Sequence, residues 1–231
     1  MLSSTFWHNS PEAITFGMLR SLIDLTMTKE NNEGRLFKNR ILESLTRTHI
    51  AVPLTIFYGT ALFLFCYTLY LGILSPGAGI LWFFLGFLFF TFIEYLVHRY
   101  AFHIEPSTDQ RKKFQYAVHG IHHHFPRDKS RLAMPPVLSI TLATLFFLLY
   151  RYTMGSFGVP FTGGFLAGYA TYLCVHYAVH AYRPPKNMMR ILWTHHAIHH
   201  YKESDRAFGV SSPLWDLILG TMPRTKVQST G

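Results

Sequence analysis

Long uncharged apolar segments constrain the fold of this chain more than any other feature. Residues 50–74 contain twenty-five residues without a charge, whereas a helix needs about 20 apolar residues to cross a bilayer core. Residues 80–97 are apolar except for Glu94, and residues 132–150 and 152–182 are uncharged up to the arginines that flank them. A single such segment could be a buried core helix, but four of them predict four transmembrane helices.

Turn-forming residues divide the four segments into two pairs. The sequence Ser75-Pro76-Gly77-Ala78-Gly79 is typical of a tight turn between the first and second segments. The third and fourth segments are joined near Gly155 to Pro160. We therefore expect an all-α membrane protein built from two helical hairpins.

The distribution of lysine and arginine predicts the orientation in the membrane. Of the twenty-one basic residues, six precede residue 49, six lie between residues 103 and 132, and seven follow residue 182. Basic loops are retained on the cytoplasmic side, so both termini and the central loop are expected to be cytoplasmic, at a bacterial inner membrane or the endoplasmic reticulum. The net charge of +9 matches no nucleic-acid recognition motif, and no nucleic-acid partner is expected.

The polar ends of the chain set the expected domain boundaries. The first forty-eight residues are mostly polar and lack the apolar core of a secretory signal. We expect a cytoplasmic N-terminal segment over 1–48, an integral membrane domain over 49–222 and a C-terminal tail over 223–231. Cys66 and Cys174 lie inside apolar stretches without the spacing of a disulfide framework or a thiolate site.

Clustered histidines are the main chemical signal. Twelve of the fourteen lie in the windows 98–103, 119–124, 176–180 and 195–200, and two windows contain nearly the same HxxHH sequence. This repetition suggests two equivalent half-sites. Neutral imidazole is a ligand for iron, zinc and copper, and one ion takes only about four to six ligands, so two metals are predicted. The ten histidines at ligand spacing are His98, His103, His119, His122, His123, His176, His180, His196, His199 and His200.

The spacing within each window explains how the rings could converge. Residues three or four apart lie on one face of a helix, which suits His176 with His180 and all three histidines of each HxxHH. The spacing of five between His98 and His103 fits an α-helix poorly. It predicts either a break in the helix or delivery of the two rings to different metals. An interfacial role would explain one histidine but not ten.

Other polar residues are candidates for orienting the ligand rings. Glu94 is the one acid within a predicted span, where a carboxylate is functional by default. It precedes His98 by four residues and could accept a hydrogen bond from that ring, or it could pair with Arg99 or another interfacial base. Asp128 and Asp205 are weaker candidates. His124 and His195 adjoin the clusters outside the repeated spacing, and we expect them either to support the ligand rings or to be incidental. His8 and His49 are not expected to be ligands.

The four histidine windows, in this order and spacing, resemble the fatty acid hydroxylase and sterol desaturase superfamily. Within it the chain is similar to the fatty acid 2-hydroxylases through Phe-Ile-Glu-Tyr-Leu at 92–96 and Ser-Arg-Leu-Ala-Met-Pro-Pro at 130–136. Phe-Gly-Val at 208–210 and Pro-Leu-Trp-Asp at 213–216 extend the likeness. The resemblance covers about residues 80–222.

This resemblance implies both an architecture and a reaction. It implies four transmembrane helices under a cytoplasmic helical cap, with two metals bound by the ten histidines. It also implies activation of O2 at two iron ions and insertion of one oxygen atom beside the acyl carboxyl or amide of a fatty acid or sphingolipid. Purified members can contain zinc, although oxygen activation requires a redox-active ion.

The resemblance leaves rival functions open. Relatives that oxidise or desaturate sterols, carotenoids or other lipids share the histidines. A membrane metal-binding or transport protein is the non-enzymatic alternative, but transporters place ligands near the bilayer midplane, and these ligands are expected at one face. Many eukaryotic members have a fused haem domain, which forty-eight residues are too few to form. A separate electron donor is therefore expected, a haem cytochrome or a ferredoxin type with its reductase.

Overall fold

The computed structural model describes residues 34–224. The chain divides into two compact units, Met1–Thr46 and Arg47–Gly231. The described part of the smaller unit contains one short helix, α1 (Arg40–Leu45), whose first N–H groups donate to the side chain of Asn39.

The described part of the larger unit consists of helices and the loops that connect them, with no β-strand between residues 47 and 224, as the sequence predicts. Two π-helical segments, Val97–Phe102 and Tyr116–Gly120, interrupt the α-helices. Two 3-10 turns lie at Lys129–Arg131 and Gly155–Phe157. The α-helices are α2 (Ala51–Tyr70), α3 (Pro76–Leu96), α4 (Asp109–Gln115), α5 (Ile121–His124), α6 (Pro136–Met154), α7 (Gly158–Ala181), α8 (Arg190–Tyr201) and α9 (Leu214–Ile218).

Three stretches of the described chain are long and apolar enough to cross a membrane. They are Ala51–Tyr70, Pro76–Phe102 and Lys129–Ala181, and the third, 53 residues long, contains both α6 and α7. Phe146 packs on Phe165 with ring centroids 5.2 Å apart. The two helices therefore lie side by side, joined at Gly155, whose φ of +58° favours glycine.

The turn predicted at residues 75–79 is wrong, because residues 76–79 form the first turn of α3. Pro76 occupies the first helical position, where its missing N–H costs nothing. The hydroxyl of Ser75 accepts from the backbone N–H of Ala78 at 3.4 Å and caps the helix. The chain instead reverses just before this point, where Gly72 adopts a φ of +59°.

Helix α7 is the centre of the membrane-type bundle and packs against α2, α3 and α6. A Cβ added to Gly164 would lie 1.7 Å from the carbonyl oxygen of Phe83 on α3, and one added to Gly86 would lie 2.0 Å from that of Phe161. The absence of side chains therefore lets the α3 and α7 backbones come into contact, as small residues do in membrane bundles. This contact fixes α3 and α7, whose C-terminal ends lead into the histidine windows.

Candidate metal centre

The structure gathers the ten predicted histidines into two clusters of five. Within each cluster one ligand atom per residue can be chosen so that all five atoms lie within 4.8 Å of one another. The first cluster consists of His98, His103, His119, His123 and His199. The second cluster consists of His122, His176, His180, His196 and His200.

The repeat suggested two equivalent half-sites, and the structure has two clusters of five, but each HxxHH motif contributes to both clusters. His119 and His123 belong to the first cluster, whereas His122 between them belongs to the second. The other motif is the mirror case, because His196 and His200 belong to the second cluster and His199 to the first. On a helix, residues i and i+4 are nearly aligned and i+3 is turned aside. The middle histidine of each motif therefore lies in the cluster that contains the two outer histidines of the other motif.

A π-helical turn resolves the awkward spacing of His98 and His103. The backbone N–H of His103 donates to the carbonyl of His98 at 3.2 Å, a five-residue hydrogen bond characteristic of a π-helix. The wider turn places both residues in the first cluster, with ring centroids 5.1 Å apart. Of the two predicted outcomes the helix break is observed, and the two rings are not divided between the clusters.

Backbone carbonyls determine which ring nitrogen points inward. The Nδ1 atoms of His98 and His199 face the carbonyls of Phe208 and Arg206 at 2.5 and 2.7 Å. In the second cluster, Nδ1 of His176 faces the carbonyl of Leu132 at 3.1 Å. A carbonyl can only accept, so each of these Nδ1 atoms is protonated and donates. The Nε2 lone pairs are left free for a ligand.

The distances between inward-facing nitrogens are close to, and partly shorter than, those between nitrogens that share one metal ion. In the first cluster Nε2 of His119 lies 3.1 Å from Nε2 of His98 and 2.9 Å from that of His123. In the second, Nε2 of His180 lies 2.7 Å from that of His196. Two nitrogens bound to one ion at about 2.1 Å lie about 3.0–3.4 Å apart. A cation bound at either cluster would be held by the Nε2 lone pairs of these rings.

The rings of both clusters are held neutral, the form that binds metal. Burial, reinforced by neighbouring imidazoles, lowers the pKa of His103 to about 4 and that of His123 to about 3. Burial likewise lowers the pKa of His199 to about 4, although the hydrogen bond to the Arg206 carbonyl acts in the opposite direction and raises it. The pKa values of His119 and His196 are lowered for the same reason.

Glu94 does not orient the His98 ring directly, as the sequence suggested it could. Its carboxylate accepts from the backbone N–H groups of Val210 and Ser211 at 2.7 and 2.9 Å, and from the Ser211 hydroxyl. Nor does it pair with Arg99, whose guanidinium donates to the hydroxyl of Tyr95. Glu94 instead holds the backbone just beyond the carbonyl that receives His98.

Asp128 likewise supports a backbone segment and does not contact a ligand ring. It accepts from the side chains of Arg47 at 2.9 Å and Ser130 at 2.6 Å. Burial would raise the pKa of Asp128, but the Ser130 hydrogen bonds and the charges of Arg47 and Arg131 outweigh it and lower the pKa. The ionised carboxylate thus ties down the turn that ends at Leu132, whose carbonyl faces His176.

Asp205 lines a cavity of about 340 Å³ beside the first cluster. The cavity reaches His103 and is also bordered by Arg99, Tyr100, Ser204 and Phe208. The cavity is open to the protein surface and reaches the first cluster at His103.

The other three described histidines belong to neither cluster. His49 accepts from the backbone N–H of Ala51 at 3.3 Å, and His124 lies against the ring of Tyr116. His8 lies outside the described residues. His195 is buried, and its Nε2 donates to Asp216 at 3.0 Å.

Asp216 is a buried residue beside the first cluster's supporting segment that the sequence analysis did not name as a site candidate. Its carboxylate is fully buried and accepts from His195, from the Thr221 hydroxyl and from the backbone N–H groups of Phe208 and Gly209. Burial would raise the pKa of Asp216, but these hydrogen bonds outweigh it and lower the pKa. The sequence did offer one indication of a buried carboxylate. Asp216 follows the apolar residues Pro-Leu-Trp, and an acid in such surroundings is rarely buried unless it has polar partners.

The fold and the site together define a helical, membrane-type protein with two adjacent five-histidine clusters. The family model for fatty acid hydroxylases matches residues 83–221. This chain belongs to the fatty acid hydroxylase family, whose members are oxidoreductases that hydroxylate their substrates.

Individual relatives agree with this family. A dihydroceramide fatty acyl 2-hydroxylase of Arabidopsis thaliana is 34% identical over 194 residues, covering 83% of this chain and 81% of that protein. The fatty acid 2-hydroxylase of Mus musculus is 37% identical, and the match covers 61% of this chain but only 39% of the mouse protein. The solved hydroxylase domain of Scs7p has a TM-score of 0.75 and 32% identity, covering 81% of this chain and 71% of that one.

Proposed function

We propose that this chain is an O2-dependent di-iron hydroxylase that inserts one oxygen atom at carbon 2 of a lipid acyl chain. The observation that supports it most directly is the convergence of ten histidines on two adjoining clusters of five. All ten predicted histidines are proposed as metal ligands, five to each ion. The relatives named as fatty acyl 2-hydroxylases support the acyl substrate and the position of attack.

The reaction requires an oxidant and a source of electrons. One oxygen atom of O2 is inserted into a C–H bond of the carbon beside the acyl carbonyl, which gives a hydroxyl group. Two electrons and two protons reduce the other oxygen atom to water. Iron, when bound, supplies the redox chemistry, because imidazole suits iron and zinc alike but zinc has no redox chemistry. The protein's share is to hold the ligands, exclude water and position the acyl chain.

The apolar helices are proposed to bind the substrate as well as anchor the enzyme. A fatty acid or sphingolipid N-acyl chain dissolves in the bilayer and can reach the clusters without crossing water. The exposed side chains of Phe63, Phe84 and Leu148 are suited to contact with lipid chains.

We further propose four membrane crossings, by α2, α3, α6 and α7, with the short helices α4, α5, α8 and α9 and both termini in the cytoplasm. The distribution of lysine and arginine supports this orientation. A separate electron donor, a haem cytochrome or a ferredoxin type with its reductase, would then approach from the cytoplasm. The basic stretch Arg111-Lys112-Lys113 would attract an acidic donor protein.

Isotope labelling with lipid analysis tests the proposal. Cells expressing the intact chain under ¹⁸O2 should accumulate acyl chains heavier by one ¹⁸O atom, and fragmentation should place the hydroxyl on carbon 2. His122→Ala should abolish this product, because Nε2 of His122 lies 3.0 Å from that of His176 and 3.2 Å from that of His200. His49→Ala is the matched control and should retain it.

Three results would contradict the proposal. Unchanged hydroxylated lipid in His122→Ala would remove that residue from the active centre. Loss of two hydrogens without gain of oxygen would indicate a desaturase. Altered metal uptake with unchanged lipids would indicate a transporter.

A further inference from the structure

We propose that Glu94 and Asp216 are positioning residues for the first cluster alone, acting through the segment 206–211 that lies between them and the ligand rings. The inference rests on the proposed function, since it requires both clusters to bind metal. According to this proposal, the two carboxylates increase the affinity of the first cluster for its metal ion and do not affect that of the second cluster.

The segment 206–211 fixes two ligands of the first cluster by its backbone. The Arg206 carbonyl accepts from Nδ1 of His199 at 2.7 Å, and the Phe208 carbonyl accepts from Nδ1 of His98 at 2.5 Å. The Phe208 ring also packs against His103, with centroids 5.6 Å apart. Displacement of this segment would therefore disturb three of the five rings.

Asp216 holds the middle of this segment. Its two oxygens accept from the backbone N–H groups of Phe208 at 2.9 Å and Gly209 at 2.7 Å. A Cβ at Gly209 would lie 2.9 Å from the Asp216 carboxylate and 2.2 Å from the carbonyl of Ser212, so glycine permits this close approach. His195 and Thr221 donate to the same carboxylate and fix its orientation.

Glu94 holds the end of the segment and connects it to the helix that bears His98. It is buried with 7% of its surface exposed, and it accepts from Val210 and Ser211. Glu94 precedes His98 by four residues, so the ligand and the residue that supports its acceptor carbonyl belong to the same continuous helical stretch, Pro76–Phe102.

The second cluster has a different support. Its His176 donates to the Leu132 carbonyl at 3.1 Å, and the turn leading to Leu132 is tied by Asp128 and Arg47. Within residues 34–224, the buried Nδ1 atoms of His122, His196 and His200 have no hydrogen-bond partner in the protein. The segment 206–211 therefore has no hydrogen bond through which to position these rings.

Metal retention in variants with one intact cluster tests the proposal. The full-length chain with His180→Ala and His196→Ala keeps the first cluster intact, and the chain with His103→Ala and His123→Ala keeps the second. Asp216→Asn is added to each, and bound Zn²⁺ is measured by mass spectrometry after equilibration with graded chelator. Loss of a group that orients metal ligands typically weakens metal binding about 10–100-fold. We expect this loss where the first cluster is intact, and a change within about twofold where the second is intact.

Asp128→Asn is the matched control and should give the opposite pattern. Equal weakening by Asp216→Asn in both backgrounds, or no weakening where the first cluster is intact, overturns the proposal. Should Asp216→Asn fail to fold, Ser211→Ala decides, because it removes only a hydroxyl that donates to Glu94. It should weaken retention in the first-cluster background alone, and unchanged retention there overturns the proposal. An unmutated chain that binds no Zn²⁺ would instead overturn the proposed function itself.

Discussion

The rings of His123 and His200 stack with centroids 4.2 Å apart and planes inclined by 19°. His123 belongs to the first cluster and His200 to the second, so the two clusters are in direct contact through these rings. The two clusters are therefore adjacent, as the proposed reaction at two ions requires. Their ligands can nevertheless be removed one site at a time.

Neighbouring histidines of one motif should affect different ions. His199→Ala should weaken metal retention by the first cluster, and His200→Ala should weaken retention by the second, because adjacent helical residues point about 100° apart. Metal content of the two variants can be compared in the single-cluster backgrounds described above, where each loss is expected to exceed tenfold. Identical behaviour of the two variants would contradict the assignment of the motifs to both clusters.

The metal-free protein should lose stability as the pH falls from about 6.5 to 4. An unfolded histidine takes up a proton near its ordinary pKa of about 6.5, whereas burial lowers the folded-state pKa of His103 and His199 to about 4. Between these values the unfolded state binds more protons, so acid favours unfolding. Thermal unfolding of chelator-treated protein at pH 7.5, 6.5, 5.5 and 4.5 should show a falling midpoint. A midpoint that is constant or rises toward acid would contradict the neutral state of the buried rings.

The sequence was sufficient to predict the clustered histidines and insufficient to predict the residues that support them. Histidine spacing identified all ten clustered residues, because helical geometry makes three- and four-residue spacings a local property. The assignment of His122 and His199 to opposite clusters depends on how separate helices face one another, which no local pattern contains. The same holds for Asp216, whose partners lie in a separate segment at residues 208 and 209.

Helix boundaries show a similar division. Four apolar segments predicted the four long helices, but Pro76 was interpreted as part of a turn when it begins α3. Proline is compatible with both positions, and the deciding feature is the capping contact of Ser75 with Ala78. The π-turn at His103 could be predicted only as a break of unspecified form.

Close packing of α3 on α7 should make Gly164 intolerant of any side chain. Gly164→Ala would place its methyl carbon 1.7 Å from the Phe83 carbonyl oxygen, so the helices must separate. Overpacking costs about 1–3 kcal/mol, and collision with a backbone places this variant at the upper end of that range. Gly59→Ala is the control, because a methyl group there meets no atom within 4 Å. Thermal unfolding in detergent should show a marked loss for Gly164→Ala alone, and equal midpoints for the two variants would contradict the contact.

Single-cysteine labelling should show that the two ends of the helical bundle face opposite sides of the membrane. In a chain with Cys66→Ser and Cys174→Ser, Ser107→Cys lies in the exposed segment before α4, and Ser156→Cys lies in the exposed turn between α6 and α7. The lysine and arginine distribution predicts that residue 107 lies in the cytoplasm and residue 156 on the other side of the membrane. A membrane-impermeant maleimide added to intact cells should modify residue 156 alone, and permeabilisation should allow modification of residue 107. Labelling of both positions in intact cells would contradict the proposed topology, because residues 107 and 156 would then lie on the same, external side of the membrane.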